Sequence, residues 1–336
     1  MKHIIRSFFT LAALAVLAVS CGKQTEEATN AAAKRYFDAW RAINYPDAVE
    51  KDGIYIIEDK AGTGLEWTEN LPVSFATYTI RSLGGTVSSN TDEAWARQLG
   101  QYNQTYYYGQ QVILTGENVS YAGIDIMLDG MREGGTRTAI IPSWMMTYDR
   151  YDTAAEYLEH ESDVSSAIYT ITFLGQTANL AEYEYTQMLD YAQRNWSTSD
   201  TLSTGAVFFK SHTVFDEEPV EMPSDTIVYI NYTGRRMDGQ VFDTTIADTA
   251  KFYNIYNASK TYSPVSVTWA ESADDLTMGD SSSLIDGFKI GLFAMHADES
   301  ASFLFGYNLG YGSSGSGNLV PAYAALRFDI EMVPEP

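Results

Sequence analysis

The sequence predicts an α+β chain of two tandem units, each an antiparallel sheet wrapped on a short helix and preceded by an extra helix. Three observations predict it. Apolar residues alternate with polar ones along most strand-like stretches, the period of a sheet with one buried face. Turn residues such as Met237, Asp238 and Gly239 join neighbouring stretches, as hairpins require. The same order of elements also occurs twice within 336 residues, a length that suits two cores better than one.

In the first unit, residues 31–43 have helical spacing, with Tyr36, Phe37, Trp40 and Ile43 on one side. A polar gap leads to an apolar strand at 53–57, and a charged loop to a longer alternating strand at 73–82. A short helix follows at 123–131 and a strand at 167–174 ends the unit. The second unit repeats this order. Its helix lies at 180–196, with Tyr183, Met188, Tyr191 and Trp196 apolar between charges. Strands follow at 205–209 and 226–234, then a short helix at 287–295 and a last strand at 324–333. The copies meet near Gln176, so the expected domains are 31–176 and 177–336.

Residues 1–20 read as an address and not as part of either fold. Lys2, His3 and Arg6 precede an apolar run at 8–19, which has the length of a signal-peptide core and is too short to span a bilayer. Ala18, Val19 and Ser20 then lead to Cys21, a pattern that resembles the bacterial lipobox, whose cysteine is lipidated after cleavage. Cys21 is the single cysteine, so an intramolecular disulfide is excluded. The stretch 21–30 reads as a polar tether. The expectation is an exported lipoprotein of the outer membrane, facing periplasm or surface and held by a lipid anchor.

Charge narrows the partners. With 21 basic and 44 acidic residues the net charge is −23, which disfavours nucleic acid and anionic membrane surfaces. His3, His160, His212 and His296 are scattered without zinc-like spacing. Asp274, Asp275 and Asp280 do not match a calcium loop and read as a solvated acidic loop. The run 312–317, Gly-Ser-Ser-Gly-Ser-Gly, lacks the lysine of a phosphate loop and reads as a turn. Neither a metal nor a cofactor is expected.

Five motifs in the second unit, in order, carry a resemblance. They are Ile-Asn-Tyr-Thr-Gly at 230–234; Met-Asp-Gly-Gln-Val-Phe-Asp-Thr-Thr at 237–245; Leu-Ile-Asp-Gly-Phe-Lys-Ile-Gly-Leu-Phe-Ala-Met at 284–295; Leu-Gly-Tyr-Gly-Ser-Ser-Gly at 309–315 with Val320, Pro321 and Ala322; and Ala-Leu-Arg-Phe-Asp-Ile-Glu at 325–331. Together they resemble the FKBP-type peptidyl-prolyl cis-trans isomerases. That resemblance implies an isomerase acting on proline-containing polypeptides and assigns its pocket. Phe288 would form the floor, and Tyr232, Phe242 and Phe328 aromatic walls, with Val265, Leu319 and Val320 beside them. Tyr311 would offer its hydroxyl and Ile285 its backbone N–H to substrate carbonyls, and Asp243 would sit at the rim accepting from Tyr232. Taken singly, each aromatic is better explained as core; the polar Asp243 and Tyr311 are less easily explained that way, and the set together favours the pocket.

This copy departs from the family in places. Val265 stands where an aromatic is common, and insertions at 246–263 and 271–283 lie beside the cleft. The first unit resembles the family more faintly: Ser88 and Ser89 stand where Phe242 and Asp243 do, Ile124 replaces the floor, and Thr170 falls where Phe328 does. The expectation is a catalytic second domain and a first domain that binds or positions. The alternative is a catalytically silent envelope lipoprotein using the fold as a scaffold.

Overall fold

A computed structural model of the chain describes residues 28–160, 164–196, 200, 201, 207–279 and 284–336. The expected signal segment 1–20, Cys21 and most of the expected tether lie outside the described residues, as do 205 and 206 of the expected strand at 205–209 and 280–283 of the second insertion. Among the described residues, no helix is long and apolar enough to cross a membrane.

The first domain opens with α1 (Ala31–Asn44) and strands β1 (Val49–Lys51), β2 (Ile54–Lys60), β3 (Val73–Ser82) and β4 (Val87–Asn90). It continues with α2 (Glu93–Gln98), β5 (Gln111–Leu114), α3 (Ala122–Leu128), β6 (Thr136–Ile141), α4 (Ala154–Tyr157) and β7 (Ala167–Thr177). Linker helix α5 (Leu180–Asn195) leads to the second domain and its strands β8 (Asp200–Thr201), β9 (Val207–Ser211), β10 (Ile227–Arg236) and β11 (Val241–Thr244). Then come α6 (Ala247–Phe252), β12 (Val265–Thr268), β13 (Thr277–Met278), α7 (Asp286–Phe293), β14 (Ser300–Phe305) and β15 (Leu326–Val333).

Both sheets are antiparallel and share one topology. The first runs β1-β2-β6-β7-β3-β4 with β5 also on β3; the second runs β13-β12-β10-β15-β14-β9-β8 with β11 also on β10. In each, a ten-residue strand splits its free edge between two partners. Ile227 to Ile230 pair with β12, and Thr233 to Arg235 with β11 across a bulge. β3 divides its edge between β5 and β4 in the same way. The bulge between Gly234 and Arg235 bends β10 where β11 pairs with it, beyond the end of its pairing with β12. A small hydrogen-bond motif marks the repeat. The Tyr78 N–H donates to Thr91 Oγ1 at 2.8 Å, and the Tyr232 N–H donates to Thr245 Oγ1 at 3.0 Å.

Strand alternation sorts the two faces of the second sheet. Ile230, Tyr232, Phe303, Phe305, Phe328 and Ile330 face α7 and form the core with Phe288 and Leu292. On the opposite face Asp329 accepts from Arg235, Arg327 and Ser302, and His212 bonds the Ser302 hydroxyl at 2.7 Å. Helix α7 lies close to its sheet because Gly287 and Gly291, four residues apart, present no side chain. A Cβ on either would come within 2.4 Å of the Phe305 or Phe303 ring.

Helix α1 corrects one expectation. Phe37 is buried against Trp144 and Tyr55, and Trp40 packs beside it. Tyr36 and Ile43 are exposed at 70% and 80%. A helix seated on the edge of a small domain buries a narrower stripe than its apolar spacing suggests.

Candidate active site

The concave face of the second sheet holds a stack of aromatic rings. Tyr232 comes from the central strand β10, Phe328 from its neighbour β15, Phe242 from the bulged edge strand β11, and Phe288 from α7. Phe288 meets Phe328 edge-on at 5.0 Å between ring centres and Tyr232 at 5.9 Å. Phe242 meets Phe328 at 5.7 Å and Tyr311 at 6.2 Å, both edge-on. Edge-to-face contacts of this kind fix ring orientations, because the positive edge of one ring seeks the negative face of the next. Tyr232, Phe288, Val320 and Phe328 are buried, while Phe242, Asp243, Val265, Ile285, Tyr311 and Leu319 are half-buried around the mouth.

Polar groups at the rim are held in place. The Tyr232 hydroxyl donates to Asp243 Oδ2 at 2.8 Å, and Asp243 Oδ1 accepts from the Thr244 N–H at 2.9 Å. Burial, and then the Asp243 carboxylate, push the Tyr232 phenol far above its ordinary pKa, so it remains a donor. Tyr311 is raised by the same two causes in the same order. Ile285 is the N-cap of α7. Its carbonyl accepts from the Phe288 and Lys289 N–H groups at 3.1 and 3.2 Å, and its own N–H lies outside the helical pattern.

Among the described residues, no aromatic of the insertion 246–263 makes a ring contact with Tyr232, Phe242, Phe288, Tyr311 or Phe328, although the Tyr262 ring lies beside Lys260 at 5.7 Å. Phe252 is 78% exposed, and Tyr256 stacks on Tyr262 on the surface. What it contributes at the rim is Lys260, which forms an ion pair with Asp243 Oδ1. The cleft also depends on Gly234. A Cβ there would lie 2.7 Å from the Phe242 ring and 2.9 Å from Phe328, so only glycine lets the rings close over β10. Sequence reasoning missed the roles of Gly234, Gly287, Gly291 and Lys260. The i, i+4 glycine pair on an apolar helix was a readable signal; no local pattern ties Lys260 to Asp243, seventeen residues away.

Residues 218–333 match the family model described as FKBP-type peptidyl-prolyl cis-trans isomerase. They form an FKBP-type domain. Among solved structures, the chain is similar to a peptidyl-prolyl cis-trans isomerase from Pseudomonas syringae pv. tomato, with 20% identity over 48% of this chain and 98% of that one, TM-score 0.32. It is similar to the three FKBP domains of wheat FKBP73, with 14% identity over 84% of this chain and 94% of that one, TM-score 0.29. It is also similar to FkpA from Escherichia coli, with 19% identity over 46% of this chain and 58% of that one, TM-score 0.31.

The first domain is FKBP-like in fold, but a different set of residues faces its concave side. Gly234 pairs with Asp243 and Phe328 across its strand; Ile80, in the same place, pairs with Ser89 and Tyr169. The position of Phe328 in the FKBP-type domain is therefore taken by Tyr169 and not by Thr170, which matches Asp329. Side chains alternate along a strand, so an offset of one residue in aligning β7 with β15 exchanges the two faces. Burial pushes the Tyr169 phenol up to about 12, with a smaller contribution from Tyr121. Tyr121 stacks on Tyr148 at 4.6 Å.

Proposed function

We propose that the chain is a peptidyl-prolyl cis-trans isomerase whose FKBP-type second domain carries the reaction, with the first domain as a binding or positioning module. One observation carries this reading: Tyr232, Phe242, Phe288, Tyr311 and Phe328, drawn from separate parts of the chain, converge on one cleft whose rim carboxylate accepts from Tyr232. Rotation about an X–Pro bond faces a barrier of about 18–20 kcal/mol because it breaks amide resonance. The twisted amide has lost conjugation and some polarity. An aromatic floor with few fixed donors favours it over the planar form, and lowering the barrier by about 5.5 kcal/mol accelerates rotation roughly ten-thousand-fold. Tyr311 and the Ile285 N–H are the donors that would hold the carbonyls flanking the rotating bond. The process needs neither nucleophile nor metal.

The clients would be exported polypeptides carrying proline. The apolar run at 8–19 and the pattern ending at Cys21 support a lipid-anchored protein of the cell envelope, where slow proline isomerisation limits folding. A silent scaffold is the second reading, and Lys260 favours it by occupying one oxygen of the rim carboxylate. Prolyl exchange in a short peptide, followed by NMR with the full chain, decides between them. Acceleration that is lost in Asp243→Ala and Phe288→Ala supports the isomerase. A folded wild type that leaves exchange at its background rate supports the scaffold.

A further inference from the structure

The segment 307–323 supplies Tyr311, Leu319 and Val320 to the cleft, yet apart from a short 3-10 turn, Tyr307–Leu309, it is neither helix nor strand. Gly312, Gly315, Gly317 and Tyr323 all adopt positive φ, so the chain reverses repeatedly within twelve residues. Its internal backbone bonds close short turns: the Gly310 and Gly312 N–H groups reach the Tyr307 carbonyl, Gly315 reaches Tyr311, Ser316 and Val320 exchange bonds, and Tyr323 reaches Gly312, whereas Asn318 and Leu319 donate to none of these carbonyls. A cavity of about 330 Å³ lies behind its end, lined by Phe75, Tyr107, Glu184, Arg236, Pro321 and Tyr323. Val320 packs into the core of the second domain, whereas the chain just beyond it, Pro321 to Tyr323, borders this cavity.

Contacts from outside the segment hold it. The Tyr107 N–H of the first domain donates to the Asn318 carbonyl at 2.8 Å. Arg236 lies over the Tyr107 ring at 4.6 Å and donates to the adjacent Leu319 carbonyl at 2.6 Å. Asp238 holds the same guanidinium at 2.7 Å. At the other end, Glu184 of α5 accepts from the Tyr307 N–H at 3.1 Å. The Tyr307 and Tyr323 rings pack into a cluster with Val73, Phe75 and Leu180 from the first domain and the linker helix. Tyr107 is itself fixed, its hydroxyl donating to the Gln110 carbonyl at 3.0 Å.

We propose that Tyr107 is a positioning residue for the second domain's cleft: its ring, stacked under Arg236, seats the guanidinium on the Leu319 carbonyl beside the main-chain bond to Asn318, and so keeps Leu319 and Val320 at the rim in their client-binding position. This rests on the cleft being the prolyl site. A rim ordered before the client arrives spares the client the entropy of ordering it, so the brace acts on affinity. The aromatic floor lies on α7 and the sheet and does not depend on the brace. The turnover step is accordingly unaffected, the signature of binding that is uniform between ground and transition states.

The test uses the full chain as wild type, Tyr107→Ala and Tyr107→Phe. Prolyl exchange by NMR gives kcat and KM separately, and hydrogen–deuterium exchange reads the amides of 312–320. In Tyr107→Ala, KM rises about five-fold while kcat stays within about two-fold. Amides of 312–320 exchange faster, those of β10 and β15 are unchanged, and Tyr107→Phe restores both readouts. An unchanged KM, or a fall in kcat alone, overturns the proposal. If the wild type itself gives only background exchange, the isomerase reading fails separately. Amide protection then judges the brace, and equal protection in Tyr107→Ala and wild type overturns it.

Discussion

The two domains share a strand order and a central split strand, yet only one has an aromatic cleft. The contrast lies in a few coupled positions. In the second domain Gly234 leaves room for Phe242 and Phe328; in the first Ile80 fills that room and Ser88 stands in place of the ring. Beneath them, Gly291 faces Phe303 in one domain, whereas Met127 and Ala139 occupy the corresponding helix and strand positions in the other. Bulk has moved from sheet to helix with the packing retained. One backbone thus supports either a cleft or a filled core. The choice is coupled, because Ile80 tolerates the Tyr169 ring opposite it on β7 but stands beside serines on β4, where Gly234 has the Phe242 ring.

Removing the distinguishing pair has the largest expected effect. Phe242→Ser with Asp243→Ser gives the second domain the first domain's residues, and prolyl exchange by NMR falls by about a hundred-fold or more, towards background. The first domain expressed alone leaves exchange uncatalysed; measurable turnover by it would falsify the division of labour.

Glu184, where the domains meet through α5, tests a second difference. Burial pushes its carboxyl from 4.5 up to about 7, opposed only in part by the Tyr307 N–H. A carboxyl raised in the folded state favours folding most below about pH 4.5, and that contribution is lost as pH rises through about 7. Glu184→Gln keeps an acceptor for Tyr307 and removes the charge. Relative to wild type it gains about 3 kcal/mol at pH 8 and almost nothing at pH 4, as urea denaturation at both pH values measures.

Exchanging single residues between the domains sharpens the steric part of the comparison. Gly234→Ala pushes a Cβ into the Phe242 and Phe328 rings and destabilises by about 1–3 kcal/mol. Ser88→Phe in the first domain costs about the same, and adding Ile80→Gly relieves part of the clash. A double-mutant cycle by thermal melting reads the coupling, and strict additivity would show that the sites are independent.

The smallest effect falls at the rim. Lys260 and Asp243 are 35% and 42% exposed, so Lys260→Ala changes stability by under about 1 kcal/mol. Titration of peptide affinity with salt checks whether the freed carboxylate alters client charge preference.

Much of this was legible in residues and spacing. The alternation of β3 and β10, the helix signals around Phe288 and the five ordered motifs led to the α+β repeat and to the residues of the cleft. Helix α2 was not legible, being six residues with Asp92 as cap and little apolar spacing. The exposure of Tyr36 and Ile43, the one-residue offset at Tyr169 and the ion pair of Lys260 escaped for a shared reason. Each depends on what lies across a gap, and periodicity describes one segment at a time.

By itself, then, the sequence determined the order of elements, the repeat and the alternation along each strand, because period and turn chemistry are local properties of the chain. Tertiary structure alone decided which strand residues stand opposite one another, that Gly234 makes room for two rings, and that Tyr107 of one domain reaches Asn318 of the other. Those are contacts between segments far apart in the chain. They follow from how the sheets close and how the domains meet on α5, and no single segment encodes them.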